Sequence, residues 1–205
     1  MAPKKVLVFD YDGTIVDSYR AYARRFVAIA GKYSLQASEH FFQSLYTGNF
    51  AASLQDHALD KKDVIALIHD IRVPFNGKPE AIEPFEGMVQ LMNTLTKKYR
   101  VYVVTSNLTS VIKESLAYWK IYGVKEVIGG EMELSKVNKL VRIRKRYPRA
   151  ELFYIGDTAG DVHEAKEAGY VAIAVSWGYH TKAQLEGEHP DILLSKVSEL
   201  RALFV

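Results

Sequence analysis

Short apolar blocks punctuate this chain, and most are separated by stretches whose apolar residues recur at three- or four-residue intervals. The blocks Val6–Phe9, Val101–Val104, Leu152–Ile155 and Ala172–Val175, with a weaker one at Ile192–Leu194, show no in-out alternation. Such runs suit strands covered on both faces of a parallel sheet. Between most of them, residues 87–98, 109–122, 135–147 and 161–168 are amphipathic at helical period. Strand alternating with helix predicts an α/β fold built on a doubly wound parallel sheet.

Residues 18–83 break that alternation. Their apolar positions keep helical spacing, as in Tyr22, Phe26, Ile29 and Ala30, and again in Val64, Leu67, Ile68 and Ile71. Stop signals fall at Gly31, at Gly48-Asn49 and at Pro74 with Gly77, so the segment reads as a bundle of about four helices. The chain returns to the sheet through "EPFEGM", residues 83–88. The expected division is an α/β core of residues 1–17 and 84–205, with 18–83 a helical unit inserted after the first strand.

Composition narrows the chemistry. The chain of 205 residues is 48% hydrophobic, ordinary for a globular core, and carries 27 basic against 24 acidic residues for a net charge of +3. That balance fits an anionic small molecule and does not demand nucleic acid. The basic run "RIRKRYPR", residues 142–149, reads as a solvated helix face with its cations toward the C-terminus. There is no cysteine, which removes disulfide frameworks, zinc–thiolate sites and cysteine nucleophiles. The apolar stretch after Lys4 and Lys5 is too short for a signal-peptide core, and no run is long enough to span a membrane, so a cytoplasmic address is expected.

The first block ends in "DYDG", with Asp10 and Asp12 one residue apart. Carboxylates that close repel, so either one is protonated or a cation sits between them. Extended backbone past Phe9 would send both side chains to one side. Ligands of open α/β sheets bind beyond the carboxyl ends of the strands, so the residues after the other blocks bear on the same rim. They are Thr105, Ser106 and Asn107 after the second block, and Gly156 to Asp161 after the third. Asp10, Asp12, Asp157 and Asp161 would gather hard oxygen ligands there, which favours magnesium. Lys136, opening a helix before the Asp157 strand, could add positive charge. A calcium EF-hand loop is excluded, because counting from Asp10 the glycine comes too early and Ala21 stands where the closing glutamate belongs.

At these residues the chain resembles the haloacid dehalogenase-like hydrolase superfamily over nearly its whole length. The motifs are "DYDGTIVD", Thr105 in "VVTSN", Lys136 in "LSKVNKL" and "GDTAGD" at 156–161. Lys139 lies one turn from Lys136, and Ser106 could exchange roles with Thr105. "PFEGM" and "AVSWGYH", residues 174–180, resemble the phosphoglycolate phosphatase branch, whose helical cap is inserted where 18–83 lies here.

The resemblance implies a Rossmann-like core and a magnesium-dependent phosphatase acting on a small phosphorylated metabolite through an aspartyl-phosphate. It implies Asp10 as nucleophile and Asp12 as general acid and base. Magnesium would be held by Asp10, the backbone carbonyl of Asp12 and Asp157, with Asp161 orienting a metal-bound water or Lys136. Thr105, Ser106 and Lys136 would bind phosphate. Two other readings stay open. A phosphosugar mutase would share the core, but the basic and hydroxyl groups such enzymes carry after a cap glycine are replaced by Asn49, Phe50, Ala51 and Ala52 after Gly48. A signalling module phosphorylated on Asp10 would have no use for a hydrolytic base at Asp12. Arg20, Arg24 and Arg25 are candidates to meet an acidic leaving group, or else form a solvated helix face.

Overall fold

A computed structural model describes residues 3–47, 50–72 and 82–205. Six parallel strands form one sheet in the order β3-β2-β1-β4-β5-β6: β1 (Lys5–Phe9), β2 (Arg100–Val104), β3 (Glu126–Ile128), β4 (Glu151–Gly156), β5 (Val171–Val175) and β6 (Ile192–Leu194). The chain winds outward from β1 to β3 on one side and from β4 to β6 on the other. The switch point therefore lies between β1 and β4, where such sheets bind ligands.

The unalternating strand sequences are explained by two cores, one on each face. Leu7, Phe9, Val101, Val103, Phe153 and Ile155 point to one face, packing against α5 (Met88–Lys98), α6 (Thr109–Tyr118) and α10 (Val197–Phe204). Val6, Val8, Tyr102, Val104, Leu152 and Tyr154 point to the other, against α7 (Lys136–Arg146), α8 (Ala159–Glu167) and α9 (Lys182–Gly187). Every one of these strand side chains is buried.

The edge strand β3 is absent from the sequence reading. It is three residues long and glycines follow it, too short for a periodicity to register. Helix α6 stops earlier than its pattern suggested. Lys120 takes a left-handed conformation, φ 57°, while Ile121 and Lys120 donate their amides to Leu116 and Ala117, a turn that closes a helix C-terminus.

Between β1 and α5 lie α1 (Tyr19–Ile29), a 3-10 turn at Ala30–Tyr33, α2 (Glu39–Ser44), α3 (Phe50–Asp56) and α4 (Lys61–Arg72). These helices share a hydrophobic cluster of their own around Phe26, Phe42, Leu54 and Leu67. The stop signals at Gly48-Asn49, Pro74 and Gly77 lie outside the described residues. Val16 bridges to Pro84 and Asp17 donates its amide to Glu83, so the chain leaves and re-enters the core at adjacent points. Among the described residues no helix is long and apolar enough to cross a membrane. In the basic run, Arg142 and Arg146 pair with Glu126, and Arg144 donates to the carbonyls of Ala168 and Gly169.

Candidate active site

The ends of β2, β1 and β4 are neighbours in register, with Phe9 opposite both Val103 and Ile155. Chain exits from these strands deliver Thr105, Asp10 and Asp157 side by side. A small cavity of about 20 Å³ is lined by Asp10, Asp12, Thr105, Ser106, Thr158 and Lys136 from the core, together with Tyr46, Phe50 and Glu164. It holds little more than one water.

Lys136 reaches into this cavity and Lys139 does not. The Lys136 ammonium lies 3.1 Å from Asp10 Oδ2 and 2.7 Å from Asp161 Oδ1. Burial disfavours its charge, yet Asp10 and Asp161 hold its pKa well above the ordinary lysine value. One turn on, Lys139 turns to the backbone and donates to the Thr105 carbonyl at 2.7 Å. Burial, reinforced by the nearby Lys136 charge, lowers its pKa to about 7.

Asp161 is occupied by protein donors. Its Oδ1 accepts from Lys136 and from the Tyr154 hydroxyl, and its Oδ2 accepts from the amides of Asp157 and Thr158 and from Thr158 Oγ1. Thr158 in turn accepts from the Asp161 amide, closing a capping box at the start of α8. Burial opposes the Asp161 charge, but Lys136 and these hydrogen bonds hold its carboxyl below the usual range. Asp161 thus caps a helix and orients Lys136 at once.

Asp157 is gripped from two other segments. Thr14 Oγ1 donates to its Oδ1 at 2.7 Å and the Tyr179 amide to its Oδ2 at 2.8 Å. Complete burial, then the charges of Asp161 and Asp10, push its carboxyl well above the ordinary value. Asp10 is raised to about 7, by burial first, with Lys136 opposing and Asp161 and Asp12 adding to the rise.

Three carboxylates this concentrated call for a cation. One oxygen from each of Asp10, Asp157 and Asp161 lies within 4.8 Å of the others. Asp10 Oδ1 is buried and meets no hydrogen-bond donor among the described residues. Asp161 accepts five hydrogen bonds, whereas among the described residues Asp157 accepts one on each oxygen and Asp10 Oδ1 none, so Asp10 and Asp157 are the carboxylates with most capacity left for a hard cation such as magnesium.

Several residues that complete the site have no role assigned to them by the sequence alone. Asn107 Nδ2 donates to Asp12 Oδ2 at 3.0 Å and to the Tyr22 hydroxyl at 3.2 Å, joining the second aspartate to α1. Thr14, Tyr154 and Tyr179 each bond a buried aspartate, and a hydroxyl or an amide leaves no sequence signature. Tyr46, a member of the helical hydrophobic cluster, also stands in the cavity wall with Phe50. Arg24 donates to the Arg20 carbonyl and Arg25 to that of Ile71, and none of the three arginines lines the cavity.

Comparison with known proteins agrees with this architecture. A phosphoglycolate phosphatase of Synechococcus elongatus is 25% identical over 205 residues, covering 96% of this chain and 95% of its own. A pyrophosphatase of Bacillus mycoides is 24% identical, covering 95% and 94%. A haloacid dehalogenase-like family hydrolase from Streptococcus pneumoniae superposes with a TM-score of 0.75 at 22% identity over 98% of both chains. A hydrolase from Pseudomonas syringae gives 0.79 at 15% identity, over 98% of this chain and 97% of its own. The family model for haloacid dehalogenase-like hydrolases matches residues 7–175, the span from β1 through β5 that carries every carboxylate of the site, and the chain belongs to that family.

Proposed function

We propose that the protein is a magnesium-dependent phosphatase that hydrolyses small phosphate monoesters through an aspartyl-phosphate on Asp10. The observation that carries this reading is the ion pair of Lys136 with Asp10 in a cavity that Asp12 also lines. It sets a nucleophile, a cation and a second carboxylate around one point. The phosphatase and pyrophosphatase names of the relatives support the same chemistry.

In the first step an Asp10 oxygen bonds to phosphorus in line as the ester P–O bond breaks, and Asp12 protonates the departing alkoxide. In the second, Asp12 takes a proton from water as the water oxygen bonds to phosphorus. The bond to Asp10 then breaks, releasing phosphate and the free carboxylate. Lys136, held by Asp161, offsets the charge that Asp10 and the phosphoryl oxygens bring together, and Thr105 and Ser106 hold those oxygens. Magnesium, held by Asp10, Asp157 and the backbone carbonyl of Asp12, would neutralise phosphoryl charge and orient the group for attack. The helical unit 18–83 acts as a cap that closes over the leaving group and keeps bulk solvent out during the first step.

Asp10→Asn keeps the side-chain volume and removes the attacking charge, so turnover of p-nitrophenyl phosphate should fall to background while the protein stays folded. Chelation should abolish wild-type turnover and added magnesium restore it. A tenth of wild-type turnover in the folded variant, or full activity in excess chelator, would overturn the reading.

A further inference from the structure

The segment that follows β5 ties the helical unit to the aspartate at the end of β4. Among the described residues, Tyr179 is the one buried residue outside 18–83 whose side chain belongs to the hydrophobic cluster of the inserted helices. Tyr19, at the start of α1, and Tyr46, just past α2, each meet its ring edge to face with centroids 5.0 Å apart. Its hydroxyl lies 2.9 Å from Ser18 Oγ, and Gln43 Nε2 of α2 stands 3.5 Å from its carbonyl oxygen. These contacts fix Tyr179 from the side of the cap.

The backbone of the same residue serves the core. The Tyr179 amide donates to Asp157 Oδ2 at 2.8 Å, and the next amide, that of His180, donates to the Asp157 carbonyl. Gly178 approaches so closely that a Cβ there would lie 2.3 Å from Asp157 Oδ2. Trp177 Nε1 donates to the Thr14 carbonyl, while Thr14 Oγ1 donates to Asp157 Oδ1. Both oxygens of Asp157 are thus placed by groups that residues 177–179 provide or hold. A packed interior has little slack to absorb movement, so a shift of the cap that displaced the Tyr179 ring would reach the amide that holds Asp157.

Resting on the phosphatase reading, in which Asp157 holds magnesium, we propose that Tyr179 is a positioning residue that couples the cap to the metal site. With the cap seated on its ring, Asp157 is held where it binds magnesium, and magnesium in turn holds the cap. A hydrogen-bond partner of a metal-binding carboxylate tunes affinity by about tenfold to a hundredfold, and here that partner takes its place from aromatic contacts with the inserted helices. A coupling of this kind is reciprocal.

The test measures magnesium binding to the full-length protein by titration calorimetry, with no turnover involved. Tyr19→Leu, which alters the cap alone, should raise the magnesium Kd at least about threefold, and Tyr179→Leu at least about tenfold. The double variant should bind within about twofold of Tyr179→Leu, because losses along one route do not add, whereas independent loosening of two sites would. Tyr19 is only partly buried, so its variant decides the question even where Tyr179→Leu fails to fold. By reciprocity, magnesium should slow hydrogen exchange of the amides of α1 and α2 in the wild type, and the slowing should be lost in Tyr19→Leu. An unchanged Kd in Tyr19→Leu, additive losses in the double variant, or cap amides indifferent to magnesium would each overturn the inference and leave the phosphatase reading standing. Wild-type protein that binds no magnesium would overturn both.

Discussion

Asn107 holds Asp12 from the end of β2: its Nδ2 lies 3.0 Å from Asp12 Oδ2, and its Oδ1 accepts the Leu108 amide at the start of α6. The same Nδ2 reaches Tyr22 on α1. The proposed acid and base is thereby fixed by a residue anchored on both sides of the cavity.

Asn107→Ala should therefore lower kcat by about tenfold to a hundredfold with little change in KM, since general acid–base catalysis depends on orientation. Asn107→Asp keeps the shape and the bond to Leu108 but sets a carboxylate against Asp12. Like charge opposes ionisation, so its pH–rate profile should move to higher pH. Steady-state kinetics across pH decides the matter. Unchanged kcat in the alanine variant and an unmoved profile in the aspartate variant would remove Asn107 from any positioning role.

Gly13 makes a second structural dependence testable. Its φ is +76°, and a Cβ placed there would sit 2.0 Å from Asp157 Oδ2 and 2.5 Å from the Tyr179 ring. A side chain at this position costs about 1–2 kcal/mol in backbone strain alone, and Asp157 must also move. Gly13→Ala should raise the magnesium concentration for half-maximal activity by at least about tenfold, through loss of a carboxylate ligand's placement. Gly187→Ala, where a Cβ would meet nothing within 4 Å, is the control and should behave as wild type. Equal magnesium titrations for both variants would refute the dependence.

What the sequence revealed of this site follows from where its physics is local. Asp10 and Asp12 are legible because two carboxylates one residue apart at a strand end are an electrostatic anomaly in themselves. The sheet was legible because burial on both faces forces unbroken apolar runs such as Val101–Val104, and the helices that follow residue 18 because helical spacing replaces those runs there. Lys136 and Lys139 could not be told apart by sequence, since both face inward on α7. Only the tertiary arrangement sends one to Asp10 and the other to Thr105. The partners of Asn107 and Tyr179 were illegible for a related reason, because Asp12 and Asp157 are far from them in the chain. The short β3 owes its place to pairing with β2 and not to any pattern of its own.

Lys139 gives a stability prediction with a definite sign. Its pKa is about 7 in the folded protein against an ordinary 10.5. Below pH 7 it is protonated in both states, and the cost of burying the charge is fully present. Between pH 7 and 10.5 the unfolded chain still holds a proton that the folded protein has released. Stability attributable to this group must therefore rise with pH through that window, by about 1 kcal/mol per pH unit. Lys139→Met lacks the titration. Urea unfolding at pH 7.5 and 9.5 should show the wild type gaining on the variant as pH rises, and parallel behaviour of the two proteins would contradict the buried, depressed lysine.

The narrowness of the active cavity sets the last expectation, which concerns substrate size. A space of about 20 Å³ with Tyr46 and Phe50 in its wall is too small for a phosphoryl group, and movement of these two residues away from Thr105 and Lys136 would widen it. Both belong to the helical unit, which is joined to the core where Val16 and Asp17 meet Glu83 and Pro84. Motion of that unit as a lid would open the rim and close it again over a small ester, and binding energy realised on closure would favour turnover. A phosphopeptide or a phosphate-ended oligonucleotide would hold the lid open and leave the acyl phosphate exposed. We expect kcat/KM for such polymers to fall at least about a hundredfold below that for small phosphate esters. Values for the polymers within a few-fold of the small esters would refute closure and require a path from Asp10 to bulk solvent wide enough for a macromolecule.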